Sequence, residues 1–180
     1  MRILILILIF IFIMTILMFN IMMSKKNRVY NAFSSMDVML KKRYDLIPNL
    51  VKVVKEYDDY ESDVLHSITK LRTTLLETSS TNEIFEKNML LEENINAILY
   101  ISENNPKLSS NQNYLELQRS LVELENQISA ARRTYNAQVT NYNNFIQFFP
   151  NNIFAYIFNF KKFAWFEFSE KSDVKVDIYE

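Results

Sequence analysis

The chain has 180 residues, with 20 basic and 21 acidic side chains and a formal net charge of -1. It contains no cysteine, which excludes disulfides and thiolate chemistry, and it has no basic stripe that would suit a nucleic acid. It also contains no glycine and only three prolines, so tight hairpins and phosphate-cradling loops are disfavoured and an all-α fold is expected.

The first element is an uncharged run of 21 residues, from Ile3 to Met23. As a helix it would cover roughly 31 Å, which is enough to cross the hydrocarbon core of a bilayer once. A secretory signal peptide has a shorter apolar region and a small-residue cleavage site, which the end of this run does not provide. We therefore predict a transmembrane anchor over residues 1–23, with residues 3–23 in contact with lipid.

The charges that flank the run predict its orientation. Only Arg2 and the terminal amine precede it, whereas Lys25, Lys26 and Arg28 follow it. Because basic residues near a membrane span tend to remain on the cytoplasmic side, we expect a short external N-terminus and a cytoplasmic body in a single-pass membrane protein.

Apolar residues at spacings of three and four then predict an amphipathic helix that follows the anchor. Its stripe consists of Val29, Phe33, Met36, Leu40, Tyr44, Ile47, Val51 and Val54. Pro48 lies inside this helix and is expected to kink it rather than to end it. A turn is expected over Asp58–Ser62; without that turn the helix would continue, and three long helices would replace four.

Three further stripes follow in chain order. The first comprises Val64, Ile68, Leu71 and Leu75, and the second comprises Ile84, Leu91, Ile95 and Ile98. The third comprises Tyr114, Leu117, Leu121, Leu124, Ile128, Ala131, Tyr135, Val139, Tyr142, Ile146 and Phe149. Because one-faced helices must bury their stripes against each other, residues 24–150 are expected to form an antiparallel up-and-down four-helix bundle, followed by an aromatic-rich tail over 151–180.

Two stretches of the sequence resemble the signatures of a known family. Residues 31–51 read NAFSSMDVMLKKRYDLIPNLV, and residues 125–150 include ENQI, ARR, YN and a second YN before the closing FP. Both are similar to signatures of the LemA family, and the resemblance covers nearly the whole chain. It implies a membrane-anchored four-helix bundle, a biochemical role that is not established, and no assigned catalytic residues.

The chain departs from the family pattern at several positions. Phe33 stands where the family usually has tryptophan, Glu56 where it usually has glycine, and Tyr60 where it often has histidine. After Pro150, residues such as Tyr156 and Asn159 replace glycines. The turn near Asp58 and the tail are therefore the places where the family geometry is least transferable.

A few ionisable residues are candidates for a catalytic or metal site. His66 is the only histidine and is expected to be an ordinary surface or boundary residue. Asp58, Asp59, Glu61 and Asp63 offer oxygen ligands for a hard cation, but they lack the glycine and spacing of a calcium loop, so a solvated turn is favoured. We accordingly assign no catalytic, cofactor-binding or metal residues, no cofactor and no small-molecule substrate.

Basic residues form two short groups within the helical stretches. Lys41, Lys42 and Arg43 form the first, and Arg132 and Arg133 form the second. They are interpreted as helix-surface charges in local ion pairs, with contact to a phosphate or a lipid headgroup as the functional alternative.

Two asparagines occupy equivalent positions seven residues apart. Asn136 follows Tyr135, and Asn143 follows Tyr142. Because a buried asparagine in a helical seam can specify register at a cost in stability, we interpret them as register residues rather than as a ligand site.

The tail carries eight aromatic residues within 15 positions: Phe154, Tyr156, Phe158, Phe160, Phe163, Trp165, Phe166 and Phe168. One prediction is that they fold back and complete the core. The other is that part of the tail rests on the bilayer, because aromatic residues mixed with lysine prefer the headgroup region.

Three classes of function remain. The first is a non-enzymatic, membrane-anchored helical scaffold with an unidentified protein partner. The second is a membrane-organising or envelope-remodelling protein that contacts lipid through its tail and its basic juxtamembrane residues. The third, a hydrolase or metal enzyme, is disfavoured because no plausible site is evident.

Overall fold

The computed structural model describes residues 1–56, 62–103 and 105–166, and in these ranges the secondary structure is entirely helical. Six helices follow one another in the chain. They are α1 (Arg2–Lys55), α2 (Ser62–Glu77), α3 (Thr81–Glu103), α4 (Pro106–Ser109), α5 (Gln112–Gln147) and α6 (Asn151–Ile157).

Helix α1 combines the apolar anchor and the first bundle helix. It has 54 residues and runs without interruption through Ser24 and through Pro48, which therefore lies in a helix rather than a loop, as predicted. It is the one helix, within the ranges described, that is long and apolar enough to cross a membrane. None of its most apolar window is buried by the rest of the protein.

The four long helices alternate in direction. Phe33 of α1 contacts Tyr135 of α5, and farther along α1 Arg43 pairs with Glu125, so these two helices are antiparallel. Arg72 of α2 donates to the Tyr44 carbonyl at 2.8 Å. The chain therefore reverses between Lys55 and Ser62, which confirms four helices rather than three. Of the predicted turn at Asp58–Ser62, residues 58–61 lie outside the described residues, and Ser62 already belongs to α2.

The predicted stripes form one continuous core. Leu40, Ile68, Ile98 and Val139 are each 0% exposed and come from the four different long helices. Near the anchor the core is aromatic: the Phe33 ring lies 5.9 Å from that of Tyr135, which lies 5.6 Å from that of Phe85. The all-α bundle expected from the periodicity is therefore confirmed.

The ends of the bundle differ in detail from the sequence prediction. The polar connection after α3 contains the one-turn helix α4, which Asn105 caps by accepting from the backbone of Lys107 and Leu108. Asn111 caps α5 in the same way, because its side chain accepts from the Tyr114 amide at 3.1 Å. Phe149 was predicted to be the last member of the α5 stripe, but it follows the end of that helix and is 80% exposed.

Candidate functional site

The residues considered as metal or catalytic candidates do not form a site in the structure. His66 and Asp63 are exposed on α2, while Asp58, Asp59 and Glu61 lie outside the described residues. Within the ranges that can be described, no group of three histidine, cysteine, aspartate or glutamate residues is placed to hold a metal ion.

The two basic groups divide between the surface and the core. Lys41 forms the predicted local ion pair, with its Nζ 2.6 Å from Asp37. Arg43, in contrast, was predicted to lie on the surface and is only 3% exposed. It faces α3 and α5, where it pairs with Glu125 and lies 3.9 Å from Glu92.

The charged cluster therefore comprises Arg43, Glu92, Glu125 and Arg132. Burial raises the pKa of the Glu92 carboxyl, and the nearby Glu125 raises it further, while Arg43 and Arg132 oppose this shift. Burial also disfavours the charged form of Arg132, and so lowers the pKa of its guanidinium. A cavity of about 140 Å³ adjoins Arg43, Glu92 and Glu125. Opposite charges thus face one another between α1, α3 and α5, which makes the cluster an interhelical link.

A second set of polar side chains on α5 binds the tail, and we call it the tail clamp: Tyr135, Asn136, Tyr142 and Asn143. Asn143 donates to the Phe163 carbonyl at 2.9 Å and accepts from the amide of the same residue at 3.0 Å. Asn136 repeats this arrangement with Phe166, at 2.9 Å and 2.8 Å. The two side-chain amides therefore pair with the tail backbone as a neighbouring strand would.

The tyrosines of the tail clamp add one hydrogen bond each. The Tyr135 hydroxyl donates to the Ala164 carbonyl at 2.9 Å, and the Tyr142 hydroxyl donates to the Lys161 carbonyl at 3.0 Å. Burial raises the pKa of both phenols to about 12. Asn136 and Asn143 were interpreted as register residues, but in the structure their side-chain amides bind the tail backbone.

A sequence signal for the tail clamp does exist. Within α5 the dipeptide Tyr-Asn occurs twice, seven residues apart, which places both copies on one face of the helix. That repeat indicates two equivalent binding positions, but backbone acceptors carry no signature in the sequence. The partner segment, residues 161–166, was therefore not predictable from the pattern alone.

The described end of the tail folds back onto the bundle, whereas contact of the tail with the bilayer stays a prediction. Phe166 is 3% exposed and its ring lies 4.4 Å from the ring of Phe85, so the segment held by the tail clamp completes the core. The preceding corner between α5 and α6 instead exposes apolar side chains to the surroundings. This apolar corner consists of Phe148 (64% exposed), Phe149 (80%), Ile153 (49%), Tyr156 (89%) and Ile157 (63%).

Comparisons with known proteins identify relatives over most of the chain. A family model described as the LemA family matches residues 32–178. The protein named LemA from Metamycoplasma hominis is 27% identical over 163 residues, which cover 89% of this chain and 74% of that relative. Two proteins of Paramagnetospirillum magneticum, named magnetosome proteins MamQ 1 and MamQ 2, are 24% identical over 169 residues. Those matches cover 79% of this chain, which spans only 62% of the length of either MamQ protein.

Proposed function

Because the chain belongs to the LemA family, we propose that it is a non-enzymatic scaffold that holds a helical bundle at a membrane for a protein partner. The single candidate membrane helix supports the membrane location. The apolar run over residues 3–23 precedes the matched family region, residues 32–178, which leaves the bundle as the part available for protein contacts.

The observation that carries this proposal is the continuity of α1. Residues of the anchor and residues of the core, such as Leu40 and Ile47, belong to one helix of 54 residues. A helix resists bending far more than a linker does, so the anchor would fix the direction in which the bundle projects. A fixed projection suits a docking module, because it presents the same faces to every partner molecule.

The distribution of charge favours a structural role over catalysis. The buried Arg43 guanidinium is engaged by Glu125 and faces Glu92, so these groups link helices. Ligand pockets usually have volumes of about 300–1,000 Å³, whereas the cavity beside these groups has about 140 Å³. We propose in addition that the body is cytoplasmic, because Lys25, Lys26 and Arg28 outnumber Arg2 beside the span.

Site-specific photo-crosslinking in native membranes tests the scaffold proposal. One exposed apolar residue on each long helix is replaced with p-benzoylphenylalanine: Val38, Leu76, Leu90 and Val122. The buried Leu40 provides the matched control position. We expect protein adducts of one discrete mass from neighbouring faces and none from Leu40. If all four surface positions give no protein adduct, the scaffold proposal is wrong.

A second candidate function, organisation of the membrane itself, is favoured by the apolar corner. Five large apolar side chains at that corner are exposed beside the anchor. Reconstitution of the full chain into liposomes of defined size tests it by electron microscopy. Vesicles that change shape with the wild-type chain, but not when Phe149 and Tyr156 are both replaced by serine, would support this function. Unchanged vesicles in both cases would contradict it.

A further inference from the structure

The apolar corner lies beside the anchor rather than at the free end of the bundle. The Phe158 ring is 5.1 Å from the ring of Phe19, and the Phe160 ring is 5.9 Å from it. Phe19 precedes Met23, the end of the apolar run, by four residues, which corresponds to about 6 Å along a helix. The end of α6 therefore packs against a part of α1 that lies inside the predicted hydrocarbon boundary.

The course of α5 places the corner at the same depth. Lys25 lies 4.9 Å above the ring of Phe145, so Phe145 is level with the first charged residue after the anchor. Since α5 runs toward the membrane and ends at Gln147, the following Phe148 and Phe149 lie beyond that level, alongside the span.

Basic side chains surround the corner on the side away from the hydrocarbon. Lys26 lies 5.8 Å from the rings of both Tyr30 and Phe160. Lys161 is exposed, and Lys162 donates to Gln147 at 2.9 Å. Lysines above a layer of exposed aromatic residues match the chemistry of the headgroup region, where aromatic rings and basic side chains both accumulate.

We propose that the apolar corner inserts into the interfacial layer of the membrane that α1 crosses, and so forms a second lipid contact of this chain. The occupants are the acyl chains and headgroups of the leaflet next to Met23. Amphipathic segments that lie in a membrane interface are buried by about 5–10 Å, which agrees with the depth of Phe19. A protein partner is disfavoured, because the corner lies beside Phe19 of the span, where lipid surrounds the chain.

This inference goes beyond the scaffold function, since the contact needs no protein partner. A single helix leaves the bundle free to tilt relative to the bilayer. Two points of contact, the span and the apolar corner, restrict that tilt. The exposed face of α6 would then be buried in lipid rather than left in water.

Spin labelling of the full chain in nanodiscs tests the proposal directly. The wild-type chain contains no cysteine, so Phe149→Cys and Tyr156→Cys each carry one nitroxide at an exposed position. Val122→Cys is the matched control, since it is 52% exposed on the part of α5 far from the anchor. The nanodiscs contain phosphatidylcholine and phosphatidylglycerol, and molecular oxygen and a water-soluble nickel chelate serve as relaxation agents.

We expect the labels at 149 and 156 to collide severalfold more often with oxygen than with nickel, and the label at 122 to show the reverse. Equal nickel access at all three positions would overturn the proposal. Protection from nickel without enhanced oxygen access, accompanied by dipolar broadening between labels, would also overturn it, because a second copy of the chain would then cover the corner. Circular dichroism of each labelled variant confirms that the bundle is folded.

Discussion

Asn143 shows at the scale of one residue how the tail is held. It is 1% exposed, and its amide makes both hydrogen bonds with Phe163. We expect Asn143→Leu to destabilise the protein by about 1–3 kcal/mol, because two backbone groups of the tail lose their partner. Chemical denaturation measures this loss, with the exposed neighbour Asn144→Leu as the control. A more stable Asn143→Leu variant would restore the interpretation of this residue as a register device.

Arg43 is the residue on which the charged cluster depends. Replacing Arg43 with alanine would leave Glu92 and Glu125 facing each other without the guanidinium between them. We expect a loss of about 1–3 kcal/mol in the free energy of unfolding, because the guanidinium is buried but the Glu125 side chain is 37% exposed, so solvent screens part of the uncompensated charge. The exposed neighbour Lys42→Ala should change stability by less than about 0.5 kcal/mol. Similar effects of the two substitutions would contradict the interhelical role of Arg43.

Three buried tyrosines give the protein a predicted sensitivity to alkali. Burial raises the pKa of Tyr44, Tyr135 and Tyr142 from 10.0 to about 12. In the unfolded chain a tyrosine ionises near its ordinary pKa of 10.0. The stability that the buried neutral phenols contribute is therefore complete below pH 10 and is lost as the pH rises through about 12. Thermal melting across this range should show the loss, and Tyr44→Phe should reduce it. A melting temperature that is flat to pH 12 would contradict this prediction.

At the scale of elements, α6 ends in a geometry that favours glycine. Asn159 has a φ of 55°, the Phe160 amide donates to the Ala155 carbonyl, and the Asn159 amide donates to the Tyr156 carbonyl. These two bonds define a Schellman motif, in which the left-handed residue is most often glycine.

Asn159→Gly should therefore stabilise the protein by up to about 1 kcal/mol, since glycine adopts this conformation without strain. Asn152→Gly, in the first turn of α6, should instead destabilise it by roughly a few tenths of a kcal/mol, because glycine has a lower helix propensity than asparagine. Denaturant titration of both variants measures the difference. If Asn159→Gly were the less stable of the two, the motif would not control the path of the tail.

The long elements were predictable because their periodicity depends only on local spacing. Leu40, Ile68, Leu91 and Ile128 were all assigned to stripes and are all buried. Arg43 was not predictable in this way, because its partner Glu125 is 82 residues distant and becomes a neighbour only when α1 and α5 pack. A charged residue next to an apolar stripe is ordinarily solvated, so the local pattern predicted that Arg43 lies on the surface.

The tail clamp also combines residues that a local pattern indicates with binding partners that the pattern does not indicate. The repeated Tyr-Asn pair lies on one face of α5, but its partners are carbonyl and amide groups of the tail, which every sequence has. Phe149 continued the spacing of the α5 stripe, yet the helix ends before it and leaves its ring exposed. Periodicity predicts which face is apolar, but it does not predict where the chain leaves the helix.

At the scale of the whole molecule, the anchor and the bundle form one body. The span continues into the core through α1, and the tail returns to the same end, where Phe158 and Phe160 contact Phe19. In the scaffold that we propose, any partner meets a bundle whose direction is set by the membrane, which requires that the junction at Ser24 be helical in lipid.

The distance between two spin labels on α1 tests whether the helix is continuous between anchor and bundle. Ile13→Cys lies in the span, Lys42→Cys lies in the bundle, and both positions are exposed. An uninterrupted helix predicts a narrow distribution centred near about 44 Å in the lipid-reconstituted chain. A broad distribution shifted to shorter distances would reveal a hinge between anchor and bundle and would show that the membrane does not fix the direction of the bundle.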